Sequence, residues 1–360
     1  MDSKLPLLPT GFFLNKSLLA PLLLIAPFFF WGTAMVAMKG VIPNTTPLFM
    51  AGVRLVPAGF LVLGAGALMG RPQPRGLTAW LWIVLFAFVD GALFQGFLAE
   101  GLVRTGAGLG SVMIDSQPLA VALMALWLFG ERIGLWGWLG LLLGVIGISL
   151  LGLPEAWLLG VLRQRSLPDR LQLGADLVHD LFQNGQWLML LAALSMAVGT
   201  VLMRYVSRHA DPITATGWHM ILGGLPLFAL SSQFEVDQWV QLDLSSWAAI
   251  GYATVFGSAI AYGLFFYFAA SGSLTSLSSL TFLTPIFALL FGNLFLSEML
   301  SPLQWFGVSL TLVSIYFINQ RDSLAARFKR ALGTTDAASS PQAVVSLEVA
   351  TVTMPVTKPE

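Results

Sequence analysis

Charged side chains are scarce within the apolar stretches of this 360-residue chain, and a charge inside such a stretch is a functional candidate because it is costly to keep there. Arg54, Asp90 and Asp115 each fall inside a long apolar run, His219 lies inside another, and Glu100 and Arg104 sit near the end of one. At 1.5 Å of helical rise per residue, Asp90 lies about 13 residues (roughly 20 Å) into its run, and Asp115 and Arg54 lie about 10 and 7 residues from the ends of theirs. These depths let all three meet in one half of a single cavity. A guanidinium facing two carboxylates leaves one acid without a cation, and a buried acid that takes up and gives back a proton is what a proton-coupled exchanger needs. Three readings stand side by side: a structural bridge from Arg54 to one Asp, a substrate site, and a proton-coupling site. Arg54 also has the planar fork that clamps a carboxylate.

Further polar groups share faces with these. Gly108, Ser111, Asp115, Pro118 and Ala122 recur at helical spacing, a stripe that either lines a cavity or packs closely on another helix. Pro118 and Pro285 each remove a backbone hydrogen bond in mid-helix and so permit kinks, as hinges or static bends. Gln95 and Tyr262 bring polar tips toward the same region, and Trp31, deep in its run, is a candidate cavity wall. Glu131 and Glu298 end helices, where a carboxylate opposes the helix dipole. The expected remedy is a structural one, the N-terminus of the next helix after a tight turn. No enzyme signature competes: His179, His209 and His219 stand alone without zinc-ligand spacing, Gly106-Ala-Gly108-Leu-Gly110 lacks the strand a nucleotide loop requires, and no Cys is present. No catalysis, metal or organic cofactor is expected.

The elements that hold these residues follow from composition. The chain is 56% hydrophobic and 10% charged, with a mean hydropathy of +0.80, whereas soluble domains are about 45 to 50% apolar and about 25% charged. A water-soluble globular protein is excluded. Eighteen basic and eighteen acidic residues cancel, so no basic field points to nucleic acid. Charges, Pro and Gly clusters cut the chain into ten apolar stretches, near 18–38, 47–69, 77–99, 105–129, 134–152, 186–206, 212–231, 246–269, 274–297 and 303–319, each suited to crossing a bilayer as a helix. They are continuous and too long for barrel strands. Residues 1–17 read as a cytoplasmic N-terminal segment with a retained first span, 153–185 as a linker loop amphipathic in parts, and 321–360 as a disordered cytoplasmic tail. Lys and Arg favour the cytoplasmic assignment of both termini, twelve against five in the segments between spans. The expected location is the cell (cytoplasmic or inner) membrane.

Sliding the chain against itself exposes a repeat. At 165 residues Lys39 falls on Arg204, Pro47 on Pro212, Arg54 on His219 and Gly59 on Gly224. At 167, Gln95 falls on Tyr262, Gly96 on Gly263, Ser111 on Ser278, Pro118 on Pro285, Glu131 on Glu298 and Trp138 on Trp305. Each copy, 18–152 and 186–320, carries five spans, so the second enters with opposite polarity. The fold expected is therefore all-α and integral to the membrane, ten transmembrane helices as two inverted-topology five-helix repeats. Such pairs recur in secondary transporters with a midplane site between the halves, although a channel-like pore shares the architecture. GxxxG spacings at Gly66/Gly70, Gly106/Gly110 and Gly140/Gly144 mark close helix contacts within a monomer or a homodimer.

Phe30-Trp31-Gly32 with Lys39, Pro47 with Arg54, Pro118 to Gly130-Glu131 followed by Gly137-Trp138-Leu139-Gly140, and the second copy from Pro285 to Glu298 and Trp305-Phe306-Gly307 together resemble the EamA-type drug/metabolite transporter superfamily. The resemblance covers about residues 18 to 320. It implies an exporter or exchanger of small metabolites, often amino acids or related compounds, with the cavity between the halves; the long 153–185 loop departs from the usual short link. The partners expected are a small-molecule metabolite, protons if an acid is coupled, and the lipid bilayer. A passive uniporter, a channel-like pore and a non-transporting scaffold are the alternatives.

Overall fold

The computed structural model describes residues 16–104, 113–152, 185–270, 272–296 and 301–331. Among these every regular element is helical. The order is α1 Lys16–Val41, α2 Pro47–Leu68, α3 Leu77–Arg104, α4 with its main body Gln117–Phe129, α5 Gly134–Gly152, α6 Gly185–Val206, α7 Pro212–Phe234, α8 Leu244–Ala269, α9 from Leu274 to Leu296, α10 Pro302–Asn319 and α11 Arg321–Ala331. Seven of these are long and apolar enough to cross a membrane, and Gln117–Phe129, Gly134–Gly147 and Trp305–Asn319 add shorter apolar helices. α3 continues to Arg104, past the end near 99 expected from the sequence. The tail is not irregular from its start: Arg321–Ala331 forms a helix, with Asp322 in its first turn, where a carboxylate suits the helix dipole, and Phe328 set edge-on to Trp136.

The helix ends follow local chemistry. Pro47 and Pro212 open α2 and α7 at first-turn positions that need no N–H. Asp211 caps α7, its Oδ1 accepting from the Ile213 and Thr214 amides at 3.0 and 3.2 Å. Gly130 ends α4 at φ 65°, a left-handed position that a Cβ would strain.

Four helices are irregular in mid-course. α3 contains a π-helical stretch at Ala87–Phe94 and α8 another at Val255–Ile260, and the 167-residue repeat offset superimposes them. α9 is broken by the 3-10 turn Leu280–Phe282, just ahead of Pro285. α4 turns at 115–116 and resumes with Pro118 in its first turn. The proline that removes an N–H sits beside an interruption in both repeats.

Glycines set the closest crossings. A Cβ on Gly59 of α2 would lie 2.6 Å from the Gly217 carbonyl of α7, and one on Gly140 of α5 would lie 3.0 Å from the Ser314 carbonyl of α10. α2 with α7 and α5 with α10 are therefore equivalent, tightly packed pairs made across the repeats. Of the GxxxG pairs, Gly140/Gly144 packs on α10, Gly70 stands at a helix end with φ 67° and open space around it, and Gly106/Gly110 lies outside the described residues.

The helix-end glutamate is satisfied differently from the expectation. Glu131 accepts from the Leu274 amide at 3.0 Å, the Thr275 amide at 3.3 Å and the Thr275 hydroxyl at 2.9 Å, and pairs with Arg204 at 3.2 Å. It thus caps α9 in the other repeat, not the helix that follows it. At the opposite end of the bundle Glu235, after α7, accepts from Thr46 and from the Leu48 and Phe49 amides at the start of α2. Each repeat ends one helix with an acid that fills the N-terminus of a helix in the other. Glu298 lies outside the described residues.

Two outcomes follow. Gly59→Leu is expected to lower the unfolding temperature in detergent, with overpacking of about 1–3 kcal/mol, while Gly64→Leu, where a Cβ meets nothing within 4 Å, leaves it near the parent value. Burial pushes the Glu131 carboxyl up, but the Leu274 amide, the Thr275 hydroxyl and amide and the Arg204 charge outweigh it and hold it below the ordinary glutamate value. Its stabilisation is then fully present above roughly pH 4.3 and lost as pH falls through the lower folded value. Thermal unfolding is expected to separate Glu131→Gln from the parent at pH 7 and to bring the two together at the acid end of that window.

Candidate functional site

A cavity lies between the two repeats, walled by Trp31, Met35 and Met38 of α1, Arg54 of α2, Phe94 and Leu98 of α3, Ile114, Asp115 and Gln117 of α4, Tyr262 of α8 and Thr281 and Thr284 of α9. About 60 Å³ of it is open to the centres of water molecules, room for several of them. The irregular helices all reach it: the π-helical stretch of α8 contributes Gly257 and the interruptions of α4 and α9 contribute Asp115 and Thr281. Breaks in the helices free the side chains beside them to converge where an unbroken helix would spread them around its axis.

Arg54 and Asp115 are both 5% exposed and both face this space. They form no ion pair with each other. Arg54 Nη2 donates to Gln95 Oε1, and Gln95 Nε2 donates to the Tyr262 hydroxyl at 2.8 Å. Gln95 and Tyr262 are repeat equivalents, so this second bond joins matching positions of the two halves. Trp31 sets its ring edge-on to Tyr262, centroids 5.1 Å apart. Three buried polar atoms on the cavity wall have no partner among the described residues: Arg54 Nε, Trp31 Nε1 and Thr284 Oγ1. Buried donors are ordinarily satisfied, so this wall has room for polar groups beyond those the described residues supply. Asp115 likewise has no hydrogen bond or ion pair to the other described residues.

Asp90 and His219 are elsewhere. The three-way meeting of Arg54, Asp90 and Asp115 does not form: Asp90 pairs with His219, Oδ2 to Nε2 at 3.1 Å, in a fully buried compartment beside the cavity. Asp90 lies within the π-helical stretch at Ala87–Phe94, where side chains depart from the roughly 100° per residue of a regular α-helix. Gly199 of α6, by its missing side chain, leaves the room that the Asp90 carboxylate fills. Ser111 lies outside the described residues. Pro118 and Pro285 stand beside the two helix interruptions, and Glu131 caps α9 at Leu274 and Thr275.

Gln117 and Thr284 were not singled out in the sequence. They are equivalent at the 167-residue offset, each immediately before its helix proline, and that coincidence was the available signal. Gln117 donates to Thr200 of α6 at 3.1 Å. The π-helical stretches had no sequence signal beyond Gly91 and Gly257.

The comparisons with known proteins agree with this architecture. The model of the EamA-like transporter family matches residues 18–153 and again 183–320, the two repeats in turn. An uncharacterized transporter of Synechocystis sp. is 61% identical over 315 residues, 88% of this chain and 94% of its own. A chloroplastic WAT1-related protein of Arabidopsis thaliana is 53% identical over 82% of this chain and 68% of its own length, and the protein PecM of Dickeya dadantii is 31% identical over 83% and 92%. A crystal structure at 17% identity superposes with a TM-score of 0.64 over 83% of this chain and 96% of that one, which shows a shared fold. With both repeats matched in full and relatives of this similarity along most of its length, the chain belongs to the EamA-like transporter family.

Proposed function

We propose that this membrane transporter exports or exchanges small organic metabolites by alternating access across the cell membrane, with both termini in the cytoplasm, and that its substrates are amino acids or related zwitterions. The observation that carries the reading is that Arg54 and Asp115 both line the cavity and neither forms an ion pair among the described residues. A buried charge is tolerated when it is matched. A molecule carrying a carboxylate and an ammonium matches both at once, the carboxylate on the Arg54 fork and the ammonium on Asp115, while Met35, Phe94 and Leu98 receive an apolar body. The orphan donors of Trp31 and Thr284 supply orientation. The same wall disfavours a simple anion, which leaves Asp115 unmatched, and a simple cation, which leaves Arg54 unmatched.

Proteoliposomes loaded with a mixture of amino acids and central metabolites, and followed by mass spectrometry, test this. Selective, saturable loss of zwitterions is expected, and Asp115→Asn and Arg54→Ala are each expected to cut that flux by about tenfold or more, as losing a charge-assisted hydrogen bond does, with the protein still folded. Normal flux in Asp115→Asn removes that residue from the site. No selective loss from folded parent protein overturns the transport reading.

A further inference from the structure

Asp90 and His219 form a buried titratable pair that the cavity does not use, 0% and 1% exposed. Phe86 stacks on the imidazole with centroids 4.1 Å apart, Phe266 closes its edge at 5.5 Å, and Gly199 lies against the carboxylate. The hydrogen-bond geometry fixes how many protons the pair holds. His219 Nδ1 lies 2.6 Å from the Thr216 carbonyl, an acceptor only, so Nδ1 carries a hydrogen. Nε2 lies 3.1 Å from Asp90 Oδ2, and that contact also needs a hydrogen between its atoms. It is held as imidazolium with carboxylate, or as imidazole with carboxylic acid; either way the pair has taken up one proton and is neutral overall. Without it the Nε2 lone pair faces a carboxylate, and a net negative charge is left in an apolar compartment.

We propose that the Asp90–His219 pair is a proton-binding site separate from the substrate cavity, and that release of its proton is passed to the cavity through Tyr262, Gln95 and Arg54. The path is on hand. Asp90 Oδ1 has no hydrogen-bond partner among the described residues, and Phe266 packs against both the His219 imidazole, at 5.5 Å, and the ring that carries the Tyr262 hydroxyl, at 5.8 Å. That hydroxyl accepts from Gln95 and so keeps its own O–H to donate. When the proton leaves, the carboxylate calls for a donor, and the Tyr262 O–H is the one proposed. The Gln95–Tyr262 bond adjusts, and with it the Gln95 oxygen that holds Arg54 at the cavity wall. The charged and titratable groups facing the pair are few: Tyr262 from α8, Arg54 from α2 at the far end of that chain, and on α6 only Arg204 and Tyr205, which are turned to Glu131 and to the Trp82 ring. Asp90 equates with Gly257 in the other repeat, which places the proton site in one half of the pseudo-symmetric pair.

The coupling half of this inference rests on the transport reading; the proton site does not. Histidine-selective 15N NMR of the protein in lipid nanodiscs, with the three histidines assigned by single substitution, reads the site directly. In the parent the His219 resonances are expected to respond to pH, either by loss of the Nε2 hydrogen or by loss of the Asp90 O–H to Nε2 hydrogen bond. In Asp90→Asn, where the amide N–H can donate to Nε2 without titrating, they are expected to hold the neutral Nδ1–H form throughout. A His219 that is invariant in the parent, or that titrates alike in the variant, overturns the proposal. In vesicles, exchange of a 13C-labelled amino-acid mixture against an unlabelled one is expected to survive Asp90→Asn, while the response to an imposed pH gradient falls roughly tenfold or more. A retained gradient response overturns the coupling, and His219→Gln gives the same readout should Asp90→Asn fail to fold. Absence of exchange in the parent counts against the transport reading alone, and the NMR result then decides the proton site.

Discussion

A hydrogen bond between the repeat-equivalent residues Gln95 and Tyr262 sits at the centre of this molecule, and it expresses the constraint on which the rest depends. In a bilayer the hydrocarbon offers no water to satisfy stray polar atoms, so a polar group in one half must be met by the other half, by what fills the cavity, or by a proton. The protein distributes its few interior polar groups among these three. Gln95 and Tyr262 meet each other, Arg54 and Asp115 face the cavity, and Asp90 and His219 share a proton. The same logic runs at the two ends, where Glu131 and Glu235 each fill the open N-terminus of a helix in the opposite repeat.

The halves are equal in backbone and unequal in charge. Both carry a π-helical stretch, a proline-marked interruption and a glycine crossing in matching places. Arg54 becomes His219 in the second copy, Asp90 becomes Gly257 and Asp115 becomes Phe282, so the acids are confined to the first. Matching irregularities give both halves places that bend, while the unequal charges put a distinct chemistry on each side of the axis. The helix interruptions also break the backbone ladder beside the cavity, where the polar atoms they free can face a substrate.

Much of this was legible before any coordinates. Ten apolar stretches, a shift of about 165 residues that superimposes Pro118 on Pro285 and Trp138 on Trp305, and an odd number of spans per copy are enough to give two inverted five-helix units, because length and hydropathy decide membrane crossing. The interior candidates were also visible, since a charge in an apolar run stands out. Which of them meet was not. Counting residues at a constant rise allowed Asp90 to meet Arg54 and Asp115, but Asp90 lies in a π-helical stretch and pairs with His219 of α7, in the space left by Gly199 of α6. The partner of Glu131 was equally hidden: capping across the repeats depends on how helices 143 and more residues apart pack, which no local pattern encodes. Gln117 and Thr284 could have been found by asking what precedes each repeated proline.

The central claim is the one proposed above, that the cavity opens to the two faces of the membrane in alternation. The chain has no native Cys, so Thr284→Cys places a single reporter on the cavity wall for a membrane-impermeant maleimide applied from either face of sealed vesicles. The account predicts that the reporter is reached from both faces, and that removing the cross-repeat Glu131 contacts with Glu131→Gln shifts the balance between them. Labelling that rises from both faces together, or that leaves the balance between them unchanged in folded protein, would contradict it.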